Sequence, residues 1–301
     1  MSSIDASGQK SGFPAAIAAY LIWGFLPLYL LLVRTVPPTE FVGWRIIFTL
    51  PICLLIIALR GQWPEIRRAI ADRRAMLMLG CSALLIGVNW LVYVWAIQRG
   101  NVFAASLGYY INPLVNVVFG TLFLGERLSR RAWIAVGLAG AGVALLLGGA
   151  LTTLWISLTL AFSFSAYGLV RKQVAVGALP GLTIESLILL LPAAGIAVWY
   201  AASPAGSAID NSIGLTASIA LGGAVTAIPL WLFAVAARRL DYSTLGFIQF
   251  LAPSIVFILG LTVFGEELRP IQLASFVLIW AALAVFVWDM LVRRQTDPSD
   301  A

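Results

Sequence analysis

Apolar runs of roughly twenty residues follow one another along the whole chain, separated by short polar loops. This spacing leaves few folds open. A hydrocarbon core of ~30 Å is crossed by about 20 residues of helix, and in lipid a helix satisfies its own backbone groups. Ten runs fit that length: 13–33, 39–59, 75–97, 102–124, 132–150, 152–172, 180–201, 213–237, 243–264 and 271–291. The residue mix agrees, at 61% hydrophobic and 11% charged, against about 45–50% and about 25% in soluble domains. One water-soluble core cannot hide so much apolar surface. The expected class is an all-α polytopic membrane protein with ten transmembrane helices. The first run is too long for a signal-peptide core and no small-residue cleavage site follows it, so it is expected to remain as the first span.

The Lys and Arg residues orient the spans. With the N-terminus inside, the inner segments hold Lys10, Arg60, Arg67, Arg68, Arg73, Arg74, Arg127, Arg130, Arg131, Arg171, Lys172, Arg238, Arg239, Arg293 and Arg294. The outer loops hold only Arg34, Arg99 and Arg269, and Arg45 falls within a span. Fifteen against three places both termini in the cytoplasm and requires an even number of spans. The same placement argues against nucleic acid as the reason for a pI near 9.7, because no basic stripe is interleaved with exposed aromatics.

Shifting the chain by 140 residues lays Pro113 on Pro253, Gly120 on Gly260, Gly125 on Gly265, Glu126 on Glu266 and Leu128 on Leu268. At 141, Pro51 meets Pro192, and Trp23-Gly24 meets Phe164-Ser165. Each half then holds five runs. Five is odd, so the second copy enters the membrane upside down, giving a 5+5 inverted-topology repeat of the kind secondary transporters use. The expected organisation is a cytoplasmic tail (1–12), two five-helix repeats (13–150 and 151–292) and a disordered cytoplasmic tail (293–301).

Several chemistries are excluded by what is missing. The chain has no histidine, and Cys53 and Cys81 both lie inside apolar runs, where small packing residues are expected. No metal, disulfide or cofactor is anticipated. There is no P-loop and no H-E-x-x-H, so an intramembrane enzyme would lack its nucleophile–base or metal set. A channel-like facilitator and a non-transporting scaffold stay open beside a transporter.

The segments "AAYLIWGFLPLY", "ASLGYYINPLVNVVFGTLFLGERL" and "RRLDYSTLGFIQFLAPSIVFILG" resemble the RarD family of EamA-type permeases in the drug/metabolite transporter superfamily, over about residues 13–291. The "GE" pair after spans four and nine belongs to the same likeness. The resemblance implies a bacterial inner-membrane permease for a small organic metabolite or drug-like solute, working among membrane lipids. It supplies no binding residues, so those are read from the chain itself.

Pro113 and Pro253 lie near the centres of spans four and nine and act as expected helix-breaking hinges. Each frees the carbonyl four residues earlier, that of Tyr109 and that of Gln249. Such groups must face protein, water or ligand, so both broken helices are expected to line a shared interior. Tyr109, Asn112 and Asn116 share one face of span four. Asn112 is weighed between solute contact and interhelical bonding, and Asn116 is read as interhelical. Asn89 and Tyr93 form a similar pair in span three, and Gln249 joins them from span nine. Trp23, at the centre of span one, is assigned to the cavity wall, with packing as the alternative; Trp231 and Tyr20 are weaker candidates. Charges in spans usually mark function. Arg45 is assigned to anionic or carbonyl groups in the outer half, and Glu185 to proton or cation coupling in the inner half; snorkelling to headgroups is the alternative for both. At 1.5 Å per residue they differ by roughly 14 Å in depth, so no direct salt bridge between them is expected. Glu126 and Glu266 are read as helix caps, with a gate salt bridge to Arg127 or Arg130 as the alternative, and Asp289 as an interfacial partner of Arg293. The small residues Gly137, Gly140, Ala141 and Ala144 fit close packing, within the chain or in a homodimer.

Overall fold

The computed structural model describes residues 12–98, 102–147, 154–204, 206–210, 212–263 and 270–296. Most of both tails, Glu266 and the side chain of Arg293 lie outside them. The helices are α1 (Gly12–Leu30, continued by a 3-10 turn to Val33), α2 (Pro38–Leu59), α3 (Trp63–Ala71), α4 (Arg73–Gln98), α5 (Val102–Phe123) and α6 (Arg130–Leu147). Then come α7 (Leu154–Gln173), α8 (Ala178–Ala201), α9 (Ile213–Arg239), α10 (Tyr242–Gln249), α11 (Leu251–Thr262) and α12 (Pro270–Thr296). Among the described residues there is no strand.

Among the described residues, eight segments are long and apolar enough to cross a membrane: α1 with its 3-10 turn, α2, α4, α7, α8, α9, α10–α11 taken together, and α12. Leu107–Phe123 of α5 forms a shorter apolar helix, and α6 is not among the eight. Large apolar side chains face outward along these helices, with Leu59, Leu122, Leu191 and Trp199 among the most exposed. Such an arrangement is stable only in an apolar surrounding.

Two local features depart from the sequence reading. The connection between spans two and three contains a helix of its own. α3 opens with Trp63-Pro64 and carries Glu65 in its first turn, both favourable at a helix start. It buries Ile66 and Ala69 and exposes Arg67 and Arg68. The two prolines also behave differently. Pro253 follows an interruption: the helix ends at Gln249 and resumes at Leu251, with the Phe250 N–H turned to Phe247 O at 3.2 Å. Pro113, expected as a second hinge, lies inside the continuous helix α5. A proline removes one bond from the ladder, and the neighbouring bonds suffice to carry α5 through.

The closest-packed pairs are α6–α12, α5–α7, α2–α8, α2–α9, α4–α7, α1–α9, α5–α10, α1–α11 and α4–α8. Glycines allow several of these approaches. A Cβ on Gly223 of α9 would stand 2.5 Å from the backbone C and O of Phe48 on α2. One on Gly246 of α10 would stand 2.8 Å from the Pro113 carbonyl of α5. Both prolines are buried. In α6, Gly142 packs against Ser275 of α12, whose hydroxyl donates to the Gly142 carbonyl at 2.7 Å. Gly137 and Gly140 have nothing within 4 Å of a built Cβ. Asp289 accepts from Ser129 at 2.6 Å, and Ser129 accepts the Ala132 N–H that begins α6 at 2.9 Å.

Candidate functional site

The polar and aromatic interior falls into three connected groups. The first surrounds Arg45 on α2. Its guanidinium lies over the Trp90 ring of α4, 4.3 Å from the centroid. Its Nε is buried and has no hydrogen-bond partner, and no described carboxylate forms an ion pair with it. Tyr93 and Tyr109 pack edge to face, 5.8 Å between centroids, and both lie within electrostatic reach of Arg45, as does Tyr29 of α1. Arg45 does not snorkel outward. It turns inward onto a tryptophan face, a favourable seat for a guanidinium.

The second group is an aromatic cluster at the centre. Trp23 meets Phe164 at 5.7 Å and Phe233 at 5.8 Å; Tyr20 meets Trp23 at 5.5 Å; Tyr167 stacks on Phe233 at 6.1 Å. Trp23 is thus packed among rings contributed by α7 and α9. Trp231 is elsewhere, under the guanidinium of Arg60 at 4.9 Å.

The third group is a buried ion pair. Glu185 of α8 and Arg171 of α7 stand 3.5 Å apart, with side chains 2% and 0% exposed. Glu185 also accepts from Ser82 of α4 and, at 3.4 Å, from Tyr167. Arg171 donates to Ala178 O at 2.7 Å and Gly177 O at 3.4 Å. The guanidinium fills space that a side chain at Gly181 would occupy. A small cavity of about 10 Å³, room for roughly one water, lies between this pair and the first group, lined by Trp90, Thr49, Tyr167, Glu185 and Ser186 among others. Snorkelling therefore does not describe Glu185 either. Assigning Arg171 to an inner loop set its charge in water, whereas the structure folds it back against the carboxylate.

The amides are engaged with protein. Asn116 Nδ2 donates to Gln249 Oε1 at 2.8 Å, joining the two proline-bearing segments, and Tyr20 approaches the same oxygen at 3.5 Å. Asn112 Oδ1 accepts from Ser165 at 2.9 Å, while its Nδ2 is buried without a partner. Asn89 donates to Leu160 O and Ser163 Oγ at 2.9 and 3.0 Å. The structure thus brings Arg45, Tyr93 and Tyr109 together, sets Trp23, Gln249 and Asn112 in the central packing, and commits Asn89 to α7. The expected opening at the prolines is filled by the close approach of Gly246 to Pro113.

Charged side chains close the basic end onto backbone groups. Glu126 accepts the N–H of Tyr242 and that of Ser243 at 2.9 Å, so it caps α10 rather than its own following helix. Lys172 donates to the carbonyls of Leu240 and, at 3.1 Å, Ala237. Arg238 donates to those of Val176 and, at 3.1 Å, Val174. Glu65 of α3 accepts the Gly177 N–H. At the other end Glu40 accepts from Ser207, from the Ala208 N–H at 2.8 Å and from Trp44 at 3.2 Å. Trp90, Arg171, Ser82, Tyr167, Glu40 and Glu65 were not singled out by the sequence. The one available signal was Arg171, an arginine inside a run whose successor carries a lone carboxylate.

Comparison with known proteins agrees with this architecture. Residues 10–148 match the EamA-like transporter family. Protein RarD of Escherichia coli is 41% identical over 303 residues, covering 98% of this chain and 100% of that protein. Protein RarD of Salmonella typhimurium is 41% identical, covering 97% and 99%. An uncharacterized transporter of Bacillus subtilis, YojE, is 35% identical, covering 96% and 98%. A solved crystal structure superimposes with a TM-score of 0.71 over 97% of this chain and 99% of that one, at 21% identity, which speaks for the fold alone. On the strength of the full-length relatives, the chain belongs to the RarD-type branch of the EamA-like transporters, multi-pass membrane proteins.

Proposed function

We propose that this protein is a secondary transporter that moves a small organic solute by alternating access, with ten crossing segments arranged as two inverted halves in the inner membrane and both termini cytoplasmic. The observation that carries the reading is the packing map. Exchange the halves, so that α1, α2, α4, α5 and α6 trade places with α7, α8, α9, α10–α11 and α12. The pair α4–α7 becomes α9–α1, α5–α7 becomes α11–α1, α2–α9 becomes α8–α4, and α2–α8, α5–α10 and α6–α12 map onto themselves. Repeat mates also touch at the centre, as Trp23 and Phe164 do.

The exchange is incomplete: among the described residues α5 packs along α6 more closely than α11 does along α12, and α3 has no mate. α7 packs along α9, whereas α1 and α4 make no comparable contact. That gap is where Tyr29, Arg45 and Tyr93 lie. We read the α7–α9 packing as the closed end and the looser α1–α4 side as the mouth of an outward-facing state. Glu185, a buried carboxylate held to Arg171 and Ser82 within α7, α8 and α4, is the group on which proton coupling is read. In proteoliposomes, solute counterflow is expected to saturate and to fall in Arg45→Ala and Asn112→Ala at equal amounts of folded protein. Non-saturating conductance without counterflow would replace the transporter with a channel, and unaltered flux in both variants would remove the site assignment.

A further inference from the structure

Among the described residues no carboxylate pairs with Arg45. Arg171 already neutralises Glu185, and Glu40, on the same helix as Arg45, is used by Ser207, Ala208 and Trp44. A cation held within a span without a counter-charge is costly and marks a pathway or a ligand. The geometry of the guanidinium narrows the ligand. One face is covered by Trp90, which leaves the in-plane N–H edge, and buried Nε has no acceptor. That edge matches a carboxylate, which can take two parallel bonds from it.

The surroundings narrow it further. Arg45, Trp90, Tyr93 and Tyr109 are each partly accessible. Yet the Nε edge of Arg45 is buried, and one face of its guanidinium is covered by Trp90. This combination describes a crevice rather than a surface patch. Its walls are an indole and two phenols set edge to face, which favour a flat ring over an aliphatic chain. We infer that this crevice binds an aromatic organic anion, a ring-bearing carboxylate, with Arg45 as its counter-ion and Trp90, Tyr93 and Tyr109 as its walls. The inference rests on the transporter reading for its biological meaning and names the substrate class of that site.

The test is calorimetric titration of the purified full-length protein in detergent with 2-naphthoate, 2-naphthamide and cyclohexanecarboxylate, with empty micelles subtracted. Naphthoate is expected to bind saturably, about tenfold or more tighter than the neutral amide, which has the same ring, and tighter than the saturated acid. Arg45→Gln should remove that acid-over-amide preference and Arg45→Lys should keep part of it. Trp90→Leu should weaken naphthoate more than cyclohexanecarboxylate. Equal binding of acid and amide, displacement of naphthoate by an equal concentration of chloride, or no saturable naphthoate heat at about 5 mM would overturn the inference. The acid–amide comparison uses the unaltered chain, so it decides the matter even if Arg45→Gln does not fold. Naphthoate binding without flux of any solute would remove the transporter reading and leave the site. Saturable flux with no preference for anions would do the reverse.

Discussion

Removing one member of the Arg171–Glu185 pair should cost far more than removing both. Neither side chain meets solvent. Truncating one partner of a buried pair costs about 3–5 kcal/mol, because the survivor stays charged in a poorly polar interior; replacing both with apolar groups of similar volume is often neutral or stabilising. Arg171 without Glu185 would keep only the Ala178 and Gly177 carbonyls, and Glu185 without Arg171 only the hydroxyls of Ser82 and Tyr167. None of these carries a compensating charge. At about 2–4 °C per kcal/mol, each single variant should lose on the order of 10 °C in unfolding midpoint. The assay is tryptophan fluorescence during heating at one scan rate, on the purified protein in one detergent. Wild type, Arg171→Met, Glu185→Met and the double variant are compared. Two low singles and a double within a few degrees of wild type, ~3 °C by the same conversion, are expected. A double that falls by the sum of the singles would show that the charges do not compensate one another. Singles that melt with wild type would show that the pair is hydrated.

Three further outcomes follow from particular contacts. Gly223→Ala drives a methyl into the Phe48 backbone and should destabilise by about 1–3 kcal/mol, read as a lowered melting midpoint; an unchanged midpoint would refute the close α2–α9 crossing. Asn116→Leu and Gln249→Leu should show a coupling of about 0.6 kcal/mol, and under ~1.7, in a double-mutant cycle, with simple additivity counting against the 2.8 Å bond. Glu126→Ala leaves the first N–H groups of α10 without their carboxylate. Amide exchange at Tyr242 and Ser243 should then accelerate by about tenfold or more, while the Thr226 and Ala227 amides within α9 keep their rate.

The sequence made the long apolar helices legible because they are set by length and hydropathy, which are local. Their ends were read to within a few residues, even where α4 begins at Arg73 rather than at 75. The proposed repeat is read from Pro113/Pro253 and the paired glycines, which sit at one shift. What stayed hidden is lateral. Nothing in the order of residues says that Arg45 stacks on Trp90, since those positions belong to different helices and either could rotate by one residue. Arg171 was hidden for a sharper reason. Counting Lys and Arg by loop treats each as solvated, and an arginine two residues from a helix end satisfies that count whether it points to water or folds back onto a carboxylate. Pro113 shows the converse limit, since identical residues at equivalent positions interrupt one helix and leave the other intact. Around Pro113 the neighbour is Gly246, which lets α10 close against that turn.

The two kinds of polar contact at the basic end differ in what opening would require of them. Glu126, Lys172, Arg238 and Glu65 all bind backbone groups near the rim. If those bonds open, water can take both sides, so each exchange costs little, about 0.5–1.5 kcal/mol or somewhat more for the charged donors. Arg171 and Glu185 have no such exit, because separating them within the span strands two charges. Any motion that opens this end must therefore break the rim and carry the pair whole. The pair links α7 to α8, and through Ser82 to α4. Those three helices should move as one body, past α9 and α10, to which the rim contacts and the Tyr242 hydroxyl, donating to Ser165 O, tie them by hydrogen bonds. A disulfide placed between α7 and α8 should accordingly leave flux intact, and one placed between α7 and α9 should stop it. Arrest by the first, or indifference to the second, would mean that the pair opens and the moving body is drawn wrongly.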